Sequence, residues 1–241
     1  MSTRSDGEVF LTNAEFDALY ARVEVSDLSL DLPVWELPGP REAVVRWHDA
    51  GVVTGHVLDA GCGSGSNAVW LAAHGHPITG FDASPNALRI ARTRAAGLPA
   101  QFLLADALTL DLPDRYDTIL DSTLYHCLPF ADRQTYLRGL GTVSRPAARL
   151  LMICVSDSLP PTLPGPARIT RTELQATLPP AGWTITDITP SSIPVSFTLD
   201  LLRSVCETTG LPEPTGDEVE FDNGLALFPT WEVVAERREL G

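Results

Sequence analysis

The 241-residue chain contains no lysine, so all 17 of its basic side chains are arginine, scattered singly except for Arg237 and Arg238. Against them stand 31 aspartates and glutamates, for a formal charge of -14. A surface of that sign repels a polyphosphate backbone unless a local basic stripe offsets it. The sequence has no such stripe, so nucleic acid is not an expected partner. Long apolar runs are missing as well: no segment approaches the roughly 18 residues a membrane span needs. Met1 to Asp6 are polar, without the apolar centre of a signal segment, and the expectation is a cytoplasmic protein that does not enter the membrane. Only four cysteines occur, Cys62, Cys127, Cys154 and Cys206, and none forms a C-x-x-C pair. That spacing excludes the common structural zinc and dithiol patterns. Cys62 and Cys154 lie in apolar runs, where a free thiol is expected to be buried.

What is present is an alternation of elements. Thr12 and Glu15 form a capping box ahead of Phe16, Leu19, Tyr20 and Val23 at helical spacing, which predicts a helix over 12–23. Three prolines and a glycine around Trp35, between Leu32 and Pro40, predict an ordered loop. A second helix is expected from Arg41 to Ala50. From residue 55 short apolar strands alternate with helices, the pattern of a parallel sheet covered on both faces. The strands are expected at 56–60, 77–81, 101–105, 116–120 and 149–155, the last apolar enough to lie mid-sheet. Helices are expected from Ser66 to His74, after the Ser84-Pro85 cap, from Asp132 to Val143, and after the Thr170/Glu173 capping box. Two last strands are expected at 183–188 and 228–236. Between them, 191–227 reads as an insertion with an amphipathic helix (Phe197, Leu201, Val205) and an acidic stretch from Thr208 to Asn223, serving as a lid or an interface. With 44% hydrophobic residues and no repeat, one domain over 1–241 is expected.

A strand, a glycine-rich turn and a helix in sequence, Leu58-Asp59-Ala60-Gly61-Cys62-Gly63-Ser64-Gly65, place backbone N–H groups at the carboxyl edge of the sheet, where open α/β folds bind ligands. The spacing is G-x-G-x-G, and Ser66 stands where the dinucleotide fingerprint wants its third glycine. Asp59 projects a negative charge toward the same crevice. A pyrophosphate is repelled there, whereas S-adenosylmethionine brings an ammonium and a sulfonium that are attracted. Asp82, closing the second strand, stands where a carboxylate accepts from ribose hydroxyls, and Asp106 with Ala107 closes the third beside the expected adenine.

The segments Val57 to Gly65, Gly80-Phe81-Asp82-Ala83-Ser84-Pro85, Ala105-Asp106-Ala107 and Tyr116 to Ser122 resemble the successive motifs of class I S-adenosylmethionine-dependent methyltransferases. Pro33 to Pro40 and Asp121 to His126 further resemble the thiopurine methyltransferase-like group of small-molecule enzymes. The resemblance implies a Rossmann-like α/β fold: a seven-stranded, mostly parallel sheet with helices on both faces and an antiparallel last strand. It implies S-adenosylmethionine as cofactor, S-adenosylhomocysteine as product, and cofactor contacts from Trp35, Asp59, Gly61, Cys62, Gly63, Gly65, Asn67, Asp82, Ala83, Asp106, Ala107, Asp121 and Ser122. Asp121 and Asp157 follow strands but lack the paired acid and amide of metal-dependent relatives, so no metal is expected.

Methyl transfer from a sulfonium is an in-line displacement in which alignment supplies much of the rate, on the order of 7–11 kcal/mol for well-oriented reactants. A base is needed only where the acceptor must lose a proton, and histidine suits that role near neutral pH. His126 is the candidate, with Tyr125 beside the cofactor or the acceptor. The expected function is methylation of sulfur, nitrogen or oxygen on a small molecule by a monomer or homodimer. Two alternatives remain open: a nucleotide-dependent oxidoreductase, and a protein that binds S-adenosylmethionine without transferring the methyl group, as a non-methylating cyclase, a sensor or a scaffold.

Overall fold

The computed structural model describes residues 2–3, 8–23, 33–163, 165–209 and 218–238. Residues 210–217 of the acidic stretch, and Leu32 at the head of the proline-rich loop, lie outside the described residues. Strands β1 (Ser2–Thr3) and β2 (Val9–Phe10) pair antiparallel, apart from the main sheet. Helix α1 (Asn13–Tyr20) opens on the capping box: the Thr12 hydroxyl accepts from the Glu15 amide, and the Glu15 carboxylate accepts from the Thr12 amide at 2.9 Å. The helix stops three residues short of the expected Val23. Helix α2 (Glu42–Asp49) follows the proline-rich loop.

The core then alternates as its periodicity demands. β3 (Val57–Ala60) leads through the glycine turn to α3 (Ser66–Ala73), and β4 (Ile78–Asp82) leads to α4 (Pro85–Arg94). The Ser84 hydroxyl accepts from Ala87 N–H at 3.0 Å, and Pro85 takes the first helical position, where a missing N–H costs nothing. β5 (Ala100–Leu104) and β6 (Tyr116–Ser122) come next. A 3₁₀ turn at Tyr125–Cys127 leads into α5 (Phe130–Thr142), β7 (Ser144–Val155) and α6 (Arg171–Thr177). β8 (Trp183–Val195), α7 (Leu199–Thr209), β9 (Glu220–Asp222) and β10 (Leu225–Arg237) complete the chain.

The main sheet runs β5-β4-β3-β6-β7-β10-β8, with β9 paired to β10 off that path. β5, β4, β3, β6 and β7 are mutually parallel, and β10 is antiparallel to β7 and β8 on either side of it. The alternation of side chains along each strand divides the core in two. Leu151, Ile153 and Val155 of β7 join the cluster beneath α2, α3 and α4, while Leu150, Met152 and Cys154 join the cluster beneath α5 and α6. Cys62 and Cys154 are both buried.

The last two strands are longer than expected. β8 and β10 pair from Trp183 opposite Arg237 to Val195 opposite Ala226, well past Ile188 and upstream of Phe228. Pro190, Ser191, Ser192 and Pro194 hide the strand in the sequence, yet β8 is the outermost strand of the path, where a proline forfeits no ladder hydrogen bond on its free side. Residues 191–195 and 225–227, read as part of an insertion, therefore belong to the sheet.

Candidate active site

β3 is flanked by β4 on one side and β6 on the other, so the carboxyl ends of these strands diverge around the glycine turn, where open sheets form their ligand crevice. Gly61, Gly63 and Gly65 all have positive φ, at 65°, 53° and 81°. Two of them also lack room for a side chain. A Cβ on Gly65 meets Ala91 Cβ at 2.9 Å, and one on Gly63 collides with the Glu36 carboxylate. The turn is thus tight enough to aim its amides, as a glycine-free turn is not.

Three carboxylates converge on it. Asp59 is 1% exposed, and its Oδ2 has no hydrogen-bond partner among the described residues. Its pKa is pushed up to about 7, first by burial and next by the Glu36 carboxylate; Asp82 and Asp121 add smaller pushes, and the Ala68 amide opposes them. Asp82 accepts from Gly63 N–H at 2.9 Å and from Ser84 N–H at 2.8 Å. Burial raises its pKa, and those two amides hold the rise back. Glu36, from the proline-rich loop, accepts from the Tyr20 hydroxyl at 2.6 Å, the Ser64 hydroxyl at 2.6 Å and Ser64 N–H at 3.0 Å. An unpartnered buried carboxylate oxygen beside two further carboxylates is a seat for positive charge. That is the fit S-adenosylmethionine requires, and it is the reverse of what a pyrophosphate requires.

Most of the residues expected to hold the cofactor line one cavity of about 1100 Å³: Trp35, Asp59, Gly61, Cys62, Gly63, Asn67, Asp82, Ala83, Asp106, Ala107 and Ser122. Trp35 packs edge-on to Phe16 at 5.6 Å and donates to the Tyr20 hydroxyl at 3.2 Å. Asn67 accepts from Arg41 N–H at 2.9 Å, tying the loop to α3. Asp106 accepts from Leu108 N–H at 2.8 Å.

Three expected residues are placed elsewhere. Gly65 lies behind the turn against α4, where its contribution is backbone shape. Asp121 is fully buried and turned inward: it accepts from Leu124 N–H at 2.9 Å, Tyr125 N–H at 3.2 Å and the Tyr136 hydroxyl at 2.9 Å, so it pins the 3₁₀ turn instead of facing the cavity. Burial pushes its pKa up to about 6 against those bonds. Tyr125 points to the α6 side, its hydroxyl 2.9 Å from Thr177 Oγ1 and 3.3 Å from the Glu173 carboxylate, with the Arg133 guanidinium over its ring.

His126 does line the cavity. Its Nδ1 accepts from Val155 N–H at 2.9 Å, and burial, then Arg133 and Arg41, bring its pKa down to about 3. Arg41, Glu36 and Tyr20 also line the cavity and are not among the expected site residues, Tyr20 standing in the sequence only as part of a helix face and Arg41 as a helix start. A loop glutamate has no periodicity to betray it, and the Trp35-Glu36 pair beside prolines was the only available signal. An apolar part of the wall, Val195, Phe197, Leu201, Val205 and Phe228, comes from β8, α7, β10 and the loop before α7, and Arg41, Arg46, Ser191, Ser192 and Glu232 line the same cavity. Among the described residues no group of three or more His, Cys, Asp or Glu is placed to hold a metal ion. No helix there is long and apolar enough to cross a membrane.

A mostly parallel sheet with one antiparallel strand near its end, a glycine turn after its central strand and an acid after the next strand define a Rossmann-like nucleoside-binding class. Comparison with known proteins narrows it. Residues 57–147 match the family described as methyltransferase domain. The chain is 33% identical over 183 residues to 2-heptyl-1-hydroxyquinolin-4(1H)-one methyltransferase of Mycobacteroides abscessus, covering 74% of this chain and 80% of that one. A solved structure concerned with the conversion of a disulfide bond into a thioacetal group during echinomycin biosynthesis superposes with a TM-score of 0.72 at 29% identity, over 94% of this chain and 93% of the other. Magnesium protoporphyrin IX methyltransferase from Synechocystis PCC 6803, solved with bound S-adenosylmethionine, shares the fold at 18% identity, with a TM-score of 0.56 over 80% and 76% of the two chains. The chain belongs to the class I S-adenosylmethionine-dependent methyltransferases.

Proposed function

We propose that the protein transfers the methyl group of S-adenosylmethionine to a small acceptor with an apolar body, releasing S-adenosylhomocysteine. The observation that carries this reading is the buried carboxylate of Asp59 at the glycine turn, whose Oδ2 has no partner among the described residues, in a cavity also lined by Val195, Phe197, Leu201, Val205 and Phe228. When bound, S-adenosylmethionine supplies a methyl group on a cationic sulfur, a leaving group that needs no proton. The chain's own residues do the rest. Asp59 meets the ligand's positive charge, Asp82 and Asp106 stand at the strand ends where ribose and adenine are held, and the loop of Trp35 and Glu36 covers the turn and excludes water. Gly61 to Gly65 shape the backbone that receives it.

The Mycobacteroides relative acts on a hydroxyquinolinone, and an aromatic hydroxy compound suits the wall of Val195, Phe197, Leu201, Val205 and Phe228 here. Trp35 and the segment ending at His126 support the narrower likeness to the thiopurine methyltransferase-like group, so aromatic thiols belong among the candidate acceptors. With α7 lining the cavity, the stretch after β8 reads as an acceptor lid. The net charge of -14 supports an enzyme acting without nucleic acid, and we read it as a cytoplasmic monomer or homodimer. Incubation with methyl-labelled cofactor and a panel of hydroxyquinolines, phenols, thiols and amines tests the reading. Labelled product and S-adenosylhomocysteine are expected; tight cofactor binding with no transfer to any class would favour a sensor or scaffold.

A further inference from the structure

His126 reaches the cavity with its hydrogen bonding already decided. A backbone N–H can only donate, so the 2.9 Å bond from Val155 makes Nδ1 the unprotonated nitrogen. The neutral ring then carries its hydrogen on Nε2. The backbone carbonyl of His126 accepts from Ala167 N–H at 3.2 Å, so ring and main chain are both fixed to the carboxyl end of β7 and the segment after it. A base must face its substrate with a lone pair, and the only one on this ring is spent on the sheet. What remains for the cavity is an N–H.

Two guanidiniums bear on that ring. Arg133, 3% exposed and paired with Glu173 at 2.5 Å, and Arg41, whose guanidinium donates to Pro194 O at 2.8 Å and to Trp35 O, both depress the proton affinity of His126, and no carboxylate is among the groups that set it. Asp59 is the mirror case: Glu36, Asp82 and Asp121 act on it, and no arginine does. Cys127, the other titratable neighbour in the cavity wall, has its thiol pushed up to about 12 by burial and by Asp121 and Asp82, so it stays protonated. The cavity therefore favours a cation at the glycine turn and an anion at His126.

Resting on the methyl-transfer reading above, we infer that His126 is a fixed hydrogen-bond donor that seats the reacting atom of the acceptor as an anion, and that the acceptor is an acidic hydroxyl or thiol on an apolar body. Such an acceptor gives its proton to water before it binds. Its lone pair forms the new bond to the methyl carbon while the carbon–sulfur electron pair stays on sulfur, and no proton is left for a side chain to remove.

Two substitutions separate a donor from a base. His126→Asn retains an oxygen near the Nδ1 position for Val155 N–H and lacks the far donor; His126→Gln retains an amide N–H near the Nε2 position. With phenols of graded acidity and S-adenosylmethionine held saturating at every pH, wild-type kcat/KM for the phenol should rise with pH only as each phenol ionises, so the break follows the acceptor. His126→Asn should lower kcat/KM roughly 10- to 100-fold, the span of a hydrogen bond to a charged group, with the break and the S-adenosylhomocysteine affinity unmoved. His126→Gln should recover most of the loss. A break common to all the phenols that His126→Asn abolishes would overturn the inference, as would equal loss in the two variants or no loss in either. Nitrogen-15 spectra of the histidine-labelled, ligand-free protein read the donor without any turnover, the His126 signal being the one absent from His126→Asn. The Nε2–H form should persist from pH 5 to pH 9; titration in that range, or a hydrogen on Nδ1, would overturn the assignment. An enzyme that shows the Nε2–H form but methylates no acceptor would sink the methyl-transfer reading and leave the donor standing.

Discussion

Asp59→Asn separates the stability of the empty protein from its ability to hold a ligand. The carboxyl of Asp59 moves from 3.8 to about 7 on folding. At about 1.4 kcal/mol per pH unit, that shift corresponds to about 4 kcal/mol. The sign follows from the direction: the folded protein holds this proton more tightly than the unfolded chain, so the stabilisation is complete below pH 3.8 and is lost as the pH rises through about 7. Asparagine cannot titrate, and its oxygen can still accept from the Ala68 amide. Urea unfolding of ligand-free wild type and variant should therefore diverge with pH, the wild type losing about 3 kcal/mol relative to the variant between pH 5 and pH 8. S-adenosylhomocysteine at 100 times its wild-type Kd should narrow that gap by about 1–2 kcal/mol, since it adds about 2.7 kcal/mol to the wild type and less to a protein that binds it more weakly. The variant should bind roughly 10- to 100-fold more weakly. Parallel stability curves for the two proteins across that pH range, or undiminished ligand affinity in the variant, would refute the role given to this carboxylate.

The same electrostatics predicts that wild-type affinity for S-adenosylhomocysteine climbs with pH and levels off near pH 7, and that Glu36→Gln moves the plateau to lower pH by removing the neighbouring charge that most raises Asp59. Calorimetric titrations at several pH values would read both effects. Gly65→Ala places a methyl 2.9 Å from Ala91 at a φ of 81°; it should lower the thermal midpoint and cost about 1–3 kcal/mol, with cofactor affinity falling in the same preparation. Tyr125→Phe removes a hydroxyl held by Thr177 and Glu173 on the α6 side. It should cost about 1 kcal/mol in denaturant unfolding while the KM for the cofactor stays at the wild-type value.

The alternating core was open to reading because its signals are local. Thr12 with Glu15, Ser84 with Pro85, and the glycine run after Leu58 each specify a backbone conformation within a few residues, and the apolar run to Val155 can lie only in a strand flanked on both sides. β8 was cut short because Pro190 to Pro194 reads as a turn unless its place at the edge of the sheet is known, and that place is set by pairing with β10 some forty residues later. The site divides in the same way. Asp59 and Asp82 follow from strand ends, whereas Glu36 reaches the turn, and Arg41 the cavity wall, through tertiary packing that leaves no trace in spacing. Asp121 and Tyr125 carry the expected residue types, but adjacent residues near a strand end alternate between faces, and theirs proved to be the α5 and α6 side.

Calorimetry with S-adenosylmethionine, S-adenosylhomocysteine and NADP, each titrated into the same wild-type protein, bears most closely on the carboxylate seat for a cation from which the catalytic proposals descend. Saturable binding of the two sulfur nucleosides at one site per chain, with no heat from NADP, is the expected outcome. Tight NADP binding by a protein that ignores both of the others would contradict the assignment at its root.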